Sequence, residues 1–96
     1  MITVKIQTIL EIKKIIGRRE VEISLARGST LNALFARMAD KWGETLRAYL
    51  FDPQTSELLP HIRVVINGRD IGFLDGLETV LKAGDEILIL PPVGGG

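Results

Sequence analysis

The sequence predicts an α+β domain in which one main helix lies across a single mixed sheet, and three stretches carry that prediction. Leu31, Leu34, Phe35, Met38, Ala39 and Trp42 recur at the spacing of one helical face. Asn67-Gly68 sits between two short strand-like runs, as a two-residue hairpin turn requires. Ile87-Leu88-Ile89-Leu90 is an unbroken apolar run that stops at Pro91-Pro92, which reads as a central strand covered on both faces.

Between Thr3 and Leu10, Val4, Ile6 and Leu10 alternate with Lys5 and Gln7, the pattern of a first strand with one buried face. Residues 11–19 are expected to form a long polar hairpin loop, with Ile12, Ile15 and Ile16 making at most one helical turn against the sheet. The adjacent cations Arg18-Arg19 read there as solvated loop residues rather than as a partner contact. A second strand spans residues 20–25, with Val21, Ile23 and Leu25 on one side and Glu22 and Ser24 on the other. Gly28-Ser29-Thr30 ends that pattern and offers Ser29 or Thr30 as the cap of the main helix. Gly43 is placed to close the helix in a left-handed cap, and Trp42 to pack at its end.

Residues 44–60 show little periodicity; Leu46, Tyr49, Leu50 and Phe51 are expected to pack on the domain, Asp52-Pro53 to open a turn, and Leu58-Leu59 to begin another extended piece. Residues 62–66 and 69–71 flank Asn67-Gly68, where both residues tolerate the positive φ of a type I′ turn. Residues 72–81 suit a packed irregular segment or a short 3₁₀ turn, Lys82-Ala83-Gly84-Asp85 another turn, and residues 86–90 the last strand. The order is β-β-α-β-β-β. With the buried last strand beside the first, at the middle of the sheet, this is a β-grasp arrangement.

A chain of 96 residues supports a single core, burying about 60–65% of the unfolded surface, and leaves no room for a deep enclosed active site. Lys plus Arg equals Asp plus Glu at 12 each, with no dense basic cluster, so no nucleic-acid partner is expected. The absence of cysteine excludes disulfides, thiolate metal sites and a cysteine nucleophile. Met1-Ile2-Thr3-Val4-Lys5 has no basic region followed by an apolar block, and no run approaches transmembrane length, so a cytosolic chain without a membrane partner is expected. His61, the one histidine, has no sequence neighbour suited to a metal site or a general-base role and reads as a surface residue. With no nucleophile and base paired in a chain this small, catalysis of its own is not expected.

The end of the chain carries the functional signal. Prolines cannot donate to a sheet ladder, so Pro91-Pro92 must end the strand and project the last four residues away from the sheet. Gly94-Gly95-Gly96 then lets the backbone pass through a channel that any Cβ would obstruct. The expected organisation is a domain over residues 1–93 and a flexible glycine tail over 94–96.

Three segments in order, Arg63-Val64-Val65-Ile66-Asn67-Gly68-Arg69-Asp70, Leu81-Lys82-Ala83-Gly84-Asp85-Glu86-Ile87 and Leu90-Pro91-Pro92-Val93-Gly94-Gly95-Gly96, resemble the MoaD/ThiS ubiquitin-like sulfur carriers across nearly the whole chain. Gly95-Gly96 falls on the family's invariant pair and Gly94 on the variable place before it. The resemblance implies that an E1-like adenylyltransferase uses ATP to adenylate the carboxyl of Gly96, after which sulfur replaces AMP to give a thiocarboxylate. Pro91, Pro92, Val93, Gly94 and Gly95 would then occupy the partner's channel, and the carrier itself would bind no cofactor or metal.

The acceptor stays open. Pro91-Pro92-Val93 resembles the small subunit of molybdopterin synthase, whose thiocarboxylate enters the large subunit. Thr8-Ile9-Leu10, Phe51-Asp52-Pro53 and Phe73-Leu74-Asp75-Gly76-Leu77 resemble the carrier that serves a cysteine synthase, and the chain is longer than a typical thiamine carrier. The alternatives are a ubiquitin-like modifier joined to lysines through Gly96 and an inert β-grasp interaction module. Phe73 and Leu74, in a segment too irregular to be wholly core, are expected at the partner surface.

Overall fold

The computed structural model describes residues 1–55 and 57–90, with the side chains of all of these except Leu10 and Glu11. Its strands are β1 (Ile2–Thr8), β2 (Glu20–Leu25), β3 (Arg63–Ile66), β4 (Arg69–Asp70) and β5 (Glu86–Leu90). Its helices are α1 (Leu10–Ile16), α2 (Leu31–Trp42) and α3 (Glu44–Leu50). The strands form one sheet in the order β2-β1-β5-β3-β4, with β5 parallel to β1 and antiparallel to β3. This is the β-grasp arrangement, and the last strand is central in it.

Alternation on β1 and β2 sends Val4, Ile6, Val21 and Ile23 to one face, where they meet the buried stripe Leu31, Leu34, Phe35 and Met38 of α2. Burying each such side chain is worth about 1.5–3 kcal/mol, against helix propensities that differ by at most about 0.7 kcal/mol among ordinary residues. The stripe therefore decides where α2 forms. Its start is set by Thr30, whose hydroxyl accepts from the Ala33 N–H at 3.2 Å, whereas the Ser29 hydroxyl turns back to donate to the Ala26 carbonyl at 2.6 Å. Trp42 is half-buried against the core, with Lys41 Nζ 5.1 Å from its ring centre.

Two segments expected to be irregular are helical. Residues 11–19 are not one long loop: β1 stops at Thr8 rather than Leu10, and α1 comes next, burying Ile12 and Ile16 one turn apart. Gly17 closes α1 at φ 85°, its N–H donating to the Lys13 carbonyl at 2.7 Å. The second is α3, which buries Leu46 and Leu50 at the same i, i+4 spacing. Gly43 joins α2 to α3 at φ 79° and ψ −164°, outside the left-handed helical basin expected for it and in a region open almost only to glycine. The corner sends the chain straight into α3, which packs on both α1 and α2. Beyond α3, Phe51 bridges Leu58, and the Leu59 N–H donates to the Leu50 carbonyl at 2.8 Å.

The Asn67-Gly68 turn joins β3 to β4 with φ of 50° and 85°. The Asn67 side chain ties the turn to the strand beside it, donating to Asp85 Oδ1 at 2.9 Å and accepting from the Glu86 N–H at 3.0 Å. β4 ends after Asp70, and two 3₁₀ turns, Ile71–Phe73 and Gly76–Glu78, cover the segment that leads to β5.

One expectation about β5 is corrected. Ile87 and Ile89 are fully buried beneath the helices, but Leu88 and Leu90 point to the other face and are only half-buried. The helices cover one face of the sheet and leave the second open. An unbroken apolar run here does not mean double coverage.

Leu34→Ala should lower stability by about 2–5 kcal/mol, read as a shifted urea midpoint at unchanged slope. Gly43→Ala should cost about 1–3 kcal/mol through backbone strain, because the added Cβ would meet nothing within 4 Å; a thermal melt matching the parent protein would refute that assignment.

Candidate functional site

The expected activation site, Gly96, and the channel residues Pro91, Pro92, Val93, Gly94 and Gly95 lie outside the described residues. What the structure places is the platform they extend from. β5 is hydrogen-bonded on both sides, so its end is held by two neighbours: Thr8 of β1 stands opposite Ile89, and Arg63 of β3 opposite Leu90. The tail therefore starts from the middle of the sheet, at the end where β1 finishes and β3 begins.

Directly opposed residues share a face, which makes the open side of the sheet readable from the register. Leu88 has Gln7 on one side and Val65 on the other, and Val65 in turn faces Asp70. Gln7, Val65 and Leu88, with Asn67, Gly68 and Glu86, line a shallow depression of about 400 Å³. Ile9, the residue after Thr8, continues β1 in extended conformation (φ −139°, ψ 161°) and is 39% exposed. Half-covered aliphatic groups thus run along the sheet face to the base of the tail. The strip sets apolar surface among the charged and polar side chains of this face.

Its outer border is an ion pair with fixed geometry. Arg63 Nε and Nη2 donate to Asp70 Oδ2 at 3.1 and 3.0 Å, and Asp70 Oδ1 accepts from the Gly72 N–H at 2.8 Å. The Gly72 N–H first, and the Arg63 guanidinium second, hold the Asp70 carboxyl below the usual carboxylate range. The contribution is present above the ordinary carboxylate pKa and disappears as acid protonates the group. On an exposed surface such a pair adds little to stability, but it orients Arg63 beside Leu90 and holds the turn after β4.

That turn carries Phe73, 88% exposed, at the Arg63 end of β3 and so at the same end of the sheet as the tail. Leu74, expected with it at the partner surface, is half-buried and packs against the core. His61 is exposed, one residue before Ile62 leads into β3. A second groove, of about 500 Å³, lies on the helical side over the edge-to-face pair Phe35 and Phe51, between α2 and α3. It is lined by α2, α3 and residues 51–53 after α3, and contains none of the open-face residues beside the tail.

In the sequence Ile9, Val65, Leu88, Leu90, Arg63 and Asp70 stand only as members of longer runs, and none of them is assigned to a partner surface or an ion pair. The signal for the aliphatic strip was the missing alternation in β5, which double coverage and a docking face explain equally well.

Known proteins share this chain's sequence and architecture. The ThiS family model matches residues 8–96. A putative sulfur carrier protein of Archaeoglobus fulgidus is 37% identical over 81 residues, covering 84% of this chain and 89% of the relative. The sulfur carrier protein CysO of Mycobacterium tuberculosis is 32% identical over 96 residues, 99% of this chain and 98% of the relative. The solution structure of small archaeal modifier protein 1 from Methanosarcina acetivorans superposes with a TM-score of 0.85 at 36% identity, covering 100% of this chain and 98% of that one. With a match over all but the first seven residues and the β-grasp sheet in place, the chain belongs to the ThiS family of ubiquitin-like sulfur carriers.

Proposed function

We propose that the carboxyl of Gly96 is adenylated by an E1-like adenylyltransferase and converted to a thiocarboxylate, which hands its sulfur to a synthase. The observation that carries this reading is the placement of β5, which starts the glycine tail from the centre of the sheet beside an aliphatic contact face. A carboxylate is a poor electrophile until one oxygen becomes part of a leaving group. In the proposed first step a Gly96 oxygen attacks the α-phosphorus of ATP and pyrophosphate departs. Hydrosulfide or an equivalent sulfur nucleophile then attacks the acyl carbon, and AMP leaves with the bridging oxygen. The partner holds ATP and supplies catalysis, while the carrier supplies position and a handle, so no cofactor is needed on this chain. The acceptor in this proposal is the large subunit of a molybdopterin synthase or a cysteine synthase, and the reaction takes place in the cytosol. No helix among the described residues is long and apolar enough to cross a membrane.

Ile9, Val65, Leu88, Leu90 and Phe73 are proposed to seat the partner while the tail enters its channel. A second reading, conjugation of the activated Gly96 to lysine amines, is supported by the likeness to small archaeal modifier protein 1. The two share activation and differ in what attacks the acyl group.

Incubated with ATP, hydrosulfide and an E1-like enzyme from its own source, the protein should exchange one oxygen for one sulfur on Gly96, read by intact mass. Deleting Gly95-Gly96 should abolish the exchange with the fold unchanged. An unaltered mass, beside an enzyme active on another carrier, would refute the carrier reading, and lysine conjugates in extract would then favour the modifier. Leu88→Ser should reduce activation efficiency about 5- to 30-fold, as loss of a central apolar contact does. Ala36→Ser in the helix-side groove should leave activation unchanged, and an equal loss there would refute the assignment of the docking face.

A further inference from the structure

The chain is neutral, but its charges are sorted. Residues 9–19 hold Lys13, Lys14, Arg18 and Arg19 against one acid, Glu11, a surplus of three that the rest of the chain balances. Because β1 and β5 run parallel, this segment begins at the end of the sheet from which the tail departs. Thr8 fixes it there. Thr8 is fully buried, and its hydroxyl donates to the Arg18 carbonyl at 2.7 Å and the Arg19 carbonyl at 3.3 Å, while its N–H donates to the Arg19 carbonyl at 2.8 Å. Both arginines are thus stationed by their backbones on the strand pair next to β5.

Their side chains are not committed. Lys13, Arg18 and Arg19 are exposed and make no ion pair among the described residues. The acid after them, Glu20, lies 3.9 Å from Lys5. On the other flank of the tail base, Arg63 is neutralised by Asp70. The uncompensated charge at this end therefore sits on the α1–β2 side.

We propose that Arg18 and Arg19, with Lys13, form a steering surface for a partner protein whose tail channel has an acidic rim. This rests on the reading of Gly96 as the activated group. The six residues after Leu90 span at most about 20 Å when fully extended. If Gly96 reaches a nucleotide inside the partner, the channel mouth lies against the end of β5, and the arginine-bearing loop faces it. An acidic rim attracts that loop; a basic one would repel it. A surplus of three cations is too small for a polyanion such as nucleic acid, where binding draws on about 6–10 phosphate contacts.

The test compares Arg18→Glu/Arg19→Glu with Arg27→Glu/Lys82→Glu, which changes net charge equally at the opposite end of the sheet. Charge reversal leaves the Thr8 bonds intact, because these use the arginine carbonyls. Pyrophosphate release by the E1-like enzyme from the same source is followed against carrier concentration. At about 0.05 M salt the Arg18/Arg19 variant should lose about tenfold in kcat/KM with kcat unchanged. The gap should close near 0.5 M salt, where screening shortens to about one contact distance. Arg18→Lys/Arg19→Lys should retain the parent rate, and Arg18→Gln/Arg19→Gln should show an intermediate loss, which covers the case of a reversal that fails to fold. A loss under about twofold, a loss confined to kcat, or an equal loss in the far-end variant would overturn the proposal while leaving the carrier reading intact. A parent protein that is not adenylated at all overturns both.

Discussion

The parallel pairing of β1 with β5 is the contact on which the rest of the structure depends. Residues 9–85 lie between the two strands, so the pairing closes almost the whole chain into one loop, and its entropic cost must be met by everything enclosed. The register is fixed at the end away from the tail. The Lys5 N–H donates to the Asp85 carbonyl and the Gly84 N–H to the Thr3 carbonyl, each at 2.9 Å. Asn67 joins the same cluster through Asp85 and Glu86, so the hairpin turn, the turn before β5 and the start of β1 hold one another. A slip of one residue would carry Leu88 and Leu90 into the core, turn Ile87 and Ile89 outward, and move the tail by about 3.3 Å. The anchoring thus places Leu90, the strand end after which the tail follows, as well as the core.

This pairing also divides labour between the two faces. Beneath the helices, full burial of Ile6, Ile87, Ile89, Leu34 and Leu46 supplies stability. On the open face, Leu88, Leu90 and Val65 gain only part of that benefit and leave apolar surface in water. Polar residues there would serve a solitary domain at least as well. Half-burial without packing necessity, beside the strand that carries the tail, is the pattern expected of residues that complete their burial against another protein.

What was legible in the sequence scales with the length of each signal. α2 presents five buried stripe positions and a Thr30 cap, and Asn67-Gly68 needs positive φ twice in succession, so both are read without the structure. α1 and α3 have seven residues each and bury only two apolar positions one turn apart, Ile12 with Ile16 and Leu46 with Leu50. Helices that short are marginal in water and exist because α3 is wedged between α1 and α2, a tertiary cause with almost no local trace. The glycine tail lies outside the described residues and rests on the sequence alone, while the residues around its base were not legible there. Ile9 and Val65 become tail-base residues only once the strand order sets them beside β5.

Neutral net charge speaks against a nucleic-acid partner, but a sum carries no information about position. Opposite charges at different ends of a sheet cancel in the total and not in the field that an approaching partner meets. Thr8 shows how the sorting is held. It occupies a core-facing position on β1 where the alternation calls for an aliphatic group, and it is the one buried polar residue among those described. Its hydroxyl is satisfied by the two carbonyls that carry the arginine side chains outward, so a polar atom in the core sets a charge on the surface. An isosteric valine would suit the core and leave the Arg18 carbonyl without this donor. The position gives up one buried methyl group and gains the donor that holds that loop beside the strand pair next to β5.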